Sequence, residues 1–135
     1  MKKIIRAFIL SVSLLALLNI SLAEPAAVDL DLSLMPTSVA YAQAIAMQRE
    51  PDGYLGLSVR VGGIFNYSEA RQRGVVIIAD RSGCCESSLD FICAGDPCFP
   101  DDYPELYSRI TVVGIFSTED GEENAFRLTD AVLER

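Results

Sequence analysis

Two segments of the chain carry nearly the same seven-residue pattern. Val59-Arg-Val-Gly-Gly-Ile-Phe65 and Ile110-Thr-Val-Val-Gly-Ile-Phe116 share apolar residues at alternate positions, then Gly-Ile-Phe at equal spacing. Period-two alternation of β-branched and aromatic residues is the signature of a half-buried strand. A glycine inside such a strand marks a bulge or a sharp coil, where the chain bends from one sheet into the next. Two bent strands near the ends of a domain predict a small closed barrel.

Other strand signals lie between and after the two motifs. Val75-Val76-Ile77-Ile78-Ala79 is apolar on both faces and reads as a central strand. Leu89-Asp-Phe-Ile-Cys93 alternates. Asp120-Gly121 is a hairpin turn signal before Ala125-Phe-Arg-Leu128. Five strands with coiled glycine positions predict a mainly β fold, a five-stranded OB-like barrel. Gly95 to Ser108 contains Pro97, Pro100 and Pro104 and reads as a loop where many OB domains carry a helix. One N-terminal helix is expected over about residues 38–49. Val39, Ala42, Ile45 and Ala46 give its apolar stripe, Thr37 or Ser38 its cap, and Pro51 its stop.

The first 23 residues set the compartment. Lys2, Lys3 and Arg6 precede apolar runs at Ala7–Leu10 and Leu14–Leu18, and Ser21-Leu-Ala23 supplies the small residues of a cleavage site. This is the pattern of an export signal, with an apolar run too short for a stable membrane span. The expected division is a signal peptide at 1–23, a leader or tether at 24–37, and a helix plus barrel at 38–135, with an extracytoplasmic product, periplasmic or secreted. The chain carries a net charge of −8. Removing the three basic residues of the signal makes the product more negative still, which disfavours nucleic acid and anionic lipid as partners. An envelope protein or a small ligand is the expected partner.

Four cysteines, Cys84, Cys85, Cys93 and Cys98, lie within this product. Outside the cytoplasm an even number of cysteines favours disulfides. Three pairings are open: 84–93 with 85–98, 84–98 with 85–93, and 84–85 with 93–98. The last contains a strained bridge between neighbours. The alternative is a metal site, since four thiolates would take zinc or a softer ion, although two C-x-x-C knuckles are absent. Otherwise no cofactor is implied. A C-x-x-C redox motif is also absent.

The order of segments resembles a family of small uncharacterised bacterial exported proteins, many of them lipoproteins, with an OB-like domain. The resemblance runs over about residues 38–133. It rests on Pro51-Asp-Gly-Tyr-Leu-Gly56, on Val59-x-Val61-x-Gly63 and, most specifically, on Ile77-Ile-Ala-Asp80 followed by Cys84-Cys85. More remotely, the Cys-Cys after a strand is similar to an OB-like domain of some permease-associated membrane proteins. Neither resemblance implies an activity. This chain lacks the lipid-anchor cysteine, and Cys93 and Cys98 are additions to the family's pair.

Composition removes most catalytic chemistry. The chain has no histidine, and its only lysines are Lys2 and Lys3. Ser-His-Asp and Cys-His catalysis, His-ligated metals, Ser-Lys dyads and Schiff bases are therefore outside its reach. The acidic group Asp96, Asp101, Asp102 and Glu105 lacks the order of an EF-hand, and Glu119, Asp120, Glu122 and Glu123 flank a turn. Both read as solvated loops. The sequence thus points to an exported, non-catalytic binding module. Tyr67, Arg71, Arg73, Tyr103 and Tyr107 are its candidate partner contacts, being residue types that anchor interfaces. A metal-handling protein using Cys84 and Cys85 is the rival.

Overall fold

A computed structural model describes residues 27–95, 97, 99–118 and 125–134. The expected export signal at residues 1–23 and the expected Asp120-Gly121 turn lie outside these residues. In chain order the elements are β1 (Leu30–Asp31), α1 (Thr37–Arg49), a 3-10 turn (Pro51–Gly53), β2 (Ser58–Ser68), β3 (Arg73–Ala79), β4 (Glu86–Cys93), β5 (Arg109–Thr118) and β6 (Phe126–Glu134). The sheet runs β1-β2-β3-β4-β6-β5, and β2 pairs again with β5, which closes a barrel of five strands. Neighbours are antiparallel except for β1 with β2 and β4 with β6. This is the strand order of the OB-like barrel that the sequence predicts, with one helix placed before it.

The repeated motif explains the closure. Val59 pairs with Gly114, Val61 with Val112 and Gly63 with Ile110, so the two copies lie side by side and antiparallel. Their inward residues Val59, Val61, Phe65, Ile110, Val112 and Phe116 are all buried. Both expected bends occur. The β5–β6 register shifts between Val113 and Ile115, at Gly114. On β2, residues up to Ile64 pair with β5 and residues from Ile64 onward pair with β3. Gly63 lies at this change of partner, where a Cβ would sit 2.4 Å from the Ile77 carbonyl oxygen. Among the described residues from Gly95 to Ser108 there is no helix, as the prolines require.

Two expectations at the N-terminal side need correction. Residues 24–37 were expected as a tether, yet Leu30 and Asp31 pair with Val59 and Arg60, and Leu32 is buried in the core. Arg60 secures the strand by pairing with Asp31 at 2.8 Å while also holding Glu134 of β6 at 3.0 Å. Helix α1 buries Ala40, Ala44 and Met47, not the stripe through Val39 and Ala42, which are exposed. The helix is apolar on more than one side. Small side chains at positions 40 and 44 permit close approach to β3 and β4, and Met47 fills the remaining gap. Neither Thr37 nor Ser38 caps the helix. The Pro36 carbonyl accepts from Val39 and Ala40, and Pro51 ends the helix as expected.

The Gln48 side chain donates to the Ser88 carbonyl at 2.9 Å and to the Ser87 hydroxyl at 3.2 Å, which ties the helix to the start of β4. The barrel's dependence on close backbone approach is testable. Gly63→Ala lowers the unfolding free energy by about 2–4 kcal/mol. Gly53→Ala, with open space at the Cβ position, changes it by less than about 0.5 kcal/mol. Urea unfolding followed by circular dichroism measures both.

Candidate metal centre

Strands β3 and β4 form a hairpin whose last ladder pair is Ala79 with Glu86. The loop between them, Asp80 to Cys85, is drawn tight by backbone bonds. Asp80 N–H donates to the Cys85 carbonyl at 2.8 Å, and Gly83 N–H donates to the Asp80 carbonyl at 3.1 Å. Gly83 adopts φ +71°, a left-handed conformation that favours glycine. The turn brings the side chains at both ends of the loop back over one another.

Asp80, Cys84 and Cys85 thereby converge. Their ligand atoms all lie within 4.8 Å of one another, the one grouping of three such residues among those described. The two sulfurs are 3.5 Å apart, and Cys84 Sγ lies 3.7 Å from Asp80 Oδ2. The Ser82 hydroxyl sits in the centre, 2.9 and 2.7 Å from the two Asp80 oxygens and 2.9 Å from Cys84 Sγ. Cys84 and Cys85 are exposed and Asp80 is half-buried. Asp80 also borders a cleft of about 700 Å³ between the Leu32–Thr37 segment and strands β2, β3 and β5.

The protonation pattern follows from this packing. The Ser82 hydrogen bond holds the Asp80 carboxyl below its usual range. The Cys85 thiol is raised, first by its hydrogen bond with Cys84, then by burial and by the Asp80 charge. Three potential anions face one another, and a cation relieves their repulsion.

The donor set and spacing select the cation. Calcium takes six to eight oxygens and does not suit two sulfurs. With zinc–sulfur bonds of about 2.3 Å and zinc–oxygen bonds of about 2.1 Å, a tetrahedron places two sulfurs about 3.8 Å apart and a sulfur about 3.6 Å from an oxygen. The distances of 3.5 and 3.7 Å found in the loop are close to both. Three protein donors leave one coordination position to solvent or an incoming ligand.

The four-thiolate zinc site is corrected by the same geometry. Cys93 ends β4 and Cys85 immediately precedes it. Seven steps of about 3.3 Å along a strand separate the two ends by on the order of 20 Å. No bridge between Cys84 or Cys85 and Cys93 is possible, which removes the 84–93/85–98 and 84–98/85–93 pairings. In the third pairing, Cys84 and Cys85 are adjacent but not bonded, and Cys98 lies outside the described residues. Cys93 is half-buried, and burial pushes its thiol up, so it is held as a neutral thiol near Tyr103. Burial, with Cys93 next, pushes the Tyr103 hydroxyl up to about 12.

Four of the five candidate partner contacts have intramolecular partners in two clusters, although Arg71 stays exposed, and Tyr107 projects outward. Tyr67 stacks on Phe99 at 4.0 Å, and Tyr103 meets Tyr67 edge-on at 5.5 Å and stacks on Phe65 at 5.7 Å. Arg71 and Arg73 both approach the buried Asp90 carboxylate, at 2.8 and 3.8 Å. Tyr107 is 71% exposed. Sequence reasoning did not assign Asp90 a charge partner, nor Asp80 a ligand role. The signal for Asp80 was present in its place between the apolar β3 run and the cysteine pair. Asp101, Asp102 and Glu105 form no ligand grouping among the described residues, whereas Asp96 and Glu119 to Glu123 lie outside them.

Comparison with protein-family models, curated proteins and solved structures finds no match for this chain. The resemblance to exported OB-like proteins therefore stands on its motifs alone, and function has to be argued from the loop. If the loop takes a thiophilic cation, the raised Cys85 thiol gives binding a definite pH dependence, because the proton must leave before the sulfur can bind. Metal affinity rises with pH through the neutral range, by about tenfold per pH unit for each thiol proton displaced. Competition titration against a chromophoric chelator at stepped pH measures that slope.

Proposed function

We propose that the chain is an exported, non-catalytic OB-like binding module that holds a thiophilic divalent cation of the zinc class. The ligands are Asp80 and the Cys84 and Cys85 thiolates. The observation that carries this reading is the convergence of two sulfurs and a carboxylate on one tight loop, all within 4.8 Å, with the Cys84–Cys85 and Cys84–Asp80 spacings near a tetrahedral edge. Export is supported by the basic, apolar and small-residue order of residues 1–23.

Exposure bears on the kind of binding. A structural zinc is enclosed by four protein ligands and fixes a fold. Here the barrel has its own core of three buried phenylalanines, Phe65, Phe91 and Phe116, and the cysteine pair sits outside that core on an exposed loop. An open position and an exposed loop suit a cation that is taken up and passed on by ligand exchange. Metal handling explains this loop better than metal-dependent folding. Docking of an envelope protein through Tyr67, Arg71, Arg73, Tyr103 and Tyr107 is the weaker reading, since the first four already have internal partners.

The test is a binding series on reduced protein with Zn(II). Cys84→Ser and Cys85→Ser each weaken binding on the order of 100-fold, and Asp80→Asn weakens it about tenfold. Cys93→Ser leaves affinity unchanged. Failure of the unaltered protein to bind, or a dependence on Cys93 equal to that on Cys84, contradicts the proposal.

A further inference from the structure

The two sulfurs that would bind the cation are also each other's nearest oxidation partners. They stand 3.5 Å apart on neighbouring exposed residues, and a bond requires an approach to about 2.05 Å. Cys93 lies on the order of 20 Å away along β4. Oxidation of either sulfur by an external disulfide therefore has one described intramolecular route.

We propose that Cys84 and Cys85 form a reversible redox switch, in which closure of a disulfide between them expels the bound cation. The inference rests on the metal-binding reading above and adds the control of that site. The oxidant is a disulfide of low molecular weight, RS–SR. One thiolate of the pair attacks a sulfur of RS–SR, forms a mixed disulfide and releases RS⁻. The second thiolate then attacks the mixed disulfide at the cysteine sulfur and releases the second RS⁻. In sum, the cysteine pair loses two electrons, RS–SR gains them, and the divalent cation leaves with its charge unchanged. A disulfide sulfur is a poor ligand for zinc, so two of the three donors are lost in one step.

Strain makes the switch reversible. A bridge between adjacent cysteines closes an eight-membered ring far from relaxed disulfide geometry, and strained, exposed disulfides are the readily reduced ones. Such a bridge makes a poor structural brace. As a switch it is well placed, because the core beneath the hairpin does not depend on it.

The experiment uses the full chain carrying Cys93→Ser and Cys98→Ser, so that the adjacent pair supplies the only thiols. Zn(II) affinity is measured first on reduced protein. It is measured again after treatment with oxidised glutathione, and a third time after reduction. The expected result is a loss of affinity on the order of 100-fold or more, recovered on reduction. It is accompanied by a monomer lighter by about 2 Da for the two hydrogens lost. If the reduced protein binds zinc but oxidation yields only glutathione adducts or linked dimers, the switch is overturned and the metal reading stands. The same holds if the bridged monomer binds as tightly as before. If the reduced protein does not bind zinc, the metal reading falls and the switch falls with it, whether or not the bridge forms.

Discussion

The ladder between β2 and β5 holds the molecule closed, and nearly everything else is placed by it. Seven residue pairs, from Ser58 with Ile115 to Ile64 with Arg109, join the two strands that carry the repeated motif. Each strand brings alternate apolar side chains inward and a glycine where the backbone must bend. Across from this seam, β3 and β4 run as a hairpin along the wall, and β6 lies between β4 and β5. The buried aromatic rings of β2, β4 and β5 then fill the interior. Helix α1 and Leu32 pack against one side of the same core.

The consequence for the β3–β4 loop is geometric. A closed wall holds Ala79 and Glu86 in register, and helix α1 anchors the start of β4 through Gln48. The short loop between them then has little choice of path. Its carboxylate and thiols crowd together, an arrangement that is costly for anions and favourable for a cation. Rigid strands below and exposed ligands above are what a site needs if it is to hold a metal and still exchange it.

Much of the architecture was legible because it is written in period and in glycine. The alternating motifs, the central run at Val75–Ala79 and the prolines around residues 97–104 each state a local rule that the barrel obeys. Helix α1 was legible in extent but not in orientation. An Ala-rich helix has several apolar faces, and only the barrel wall decides which of them can approach closely. Leu30–Leu32 was misread because a two-residue strand has no period to show.

The cysteines show the limit of spacing arguments most clearly. Four sulfurs in a short window read as a cluster only while the segment between them is taken to be compact. An extended β4 carries Cys93 to the far end of the barrel wall, and the three described sulfurs separate into a pair and an outlier. Asp80 joins the pair for the opposite reason, since a hairpin returns residues that the sequence sets apart. X-ray absorption at the zinc edge on the metal-loaded, reduced protein reads this arrangement directly. Two sulfurs at about 2.3 Å with oxygen at about 2.0–2.2 Å completing the shell is the predicted result. A shell of four sulfurs, or one without sulfur, contradicts the account.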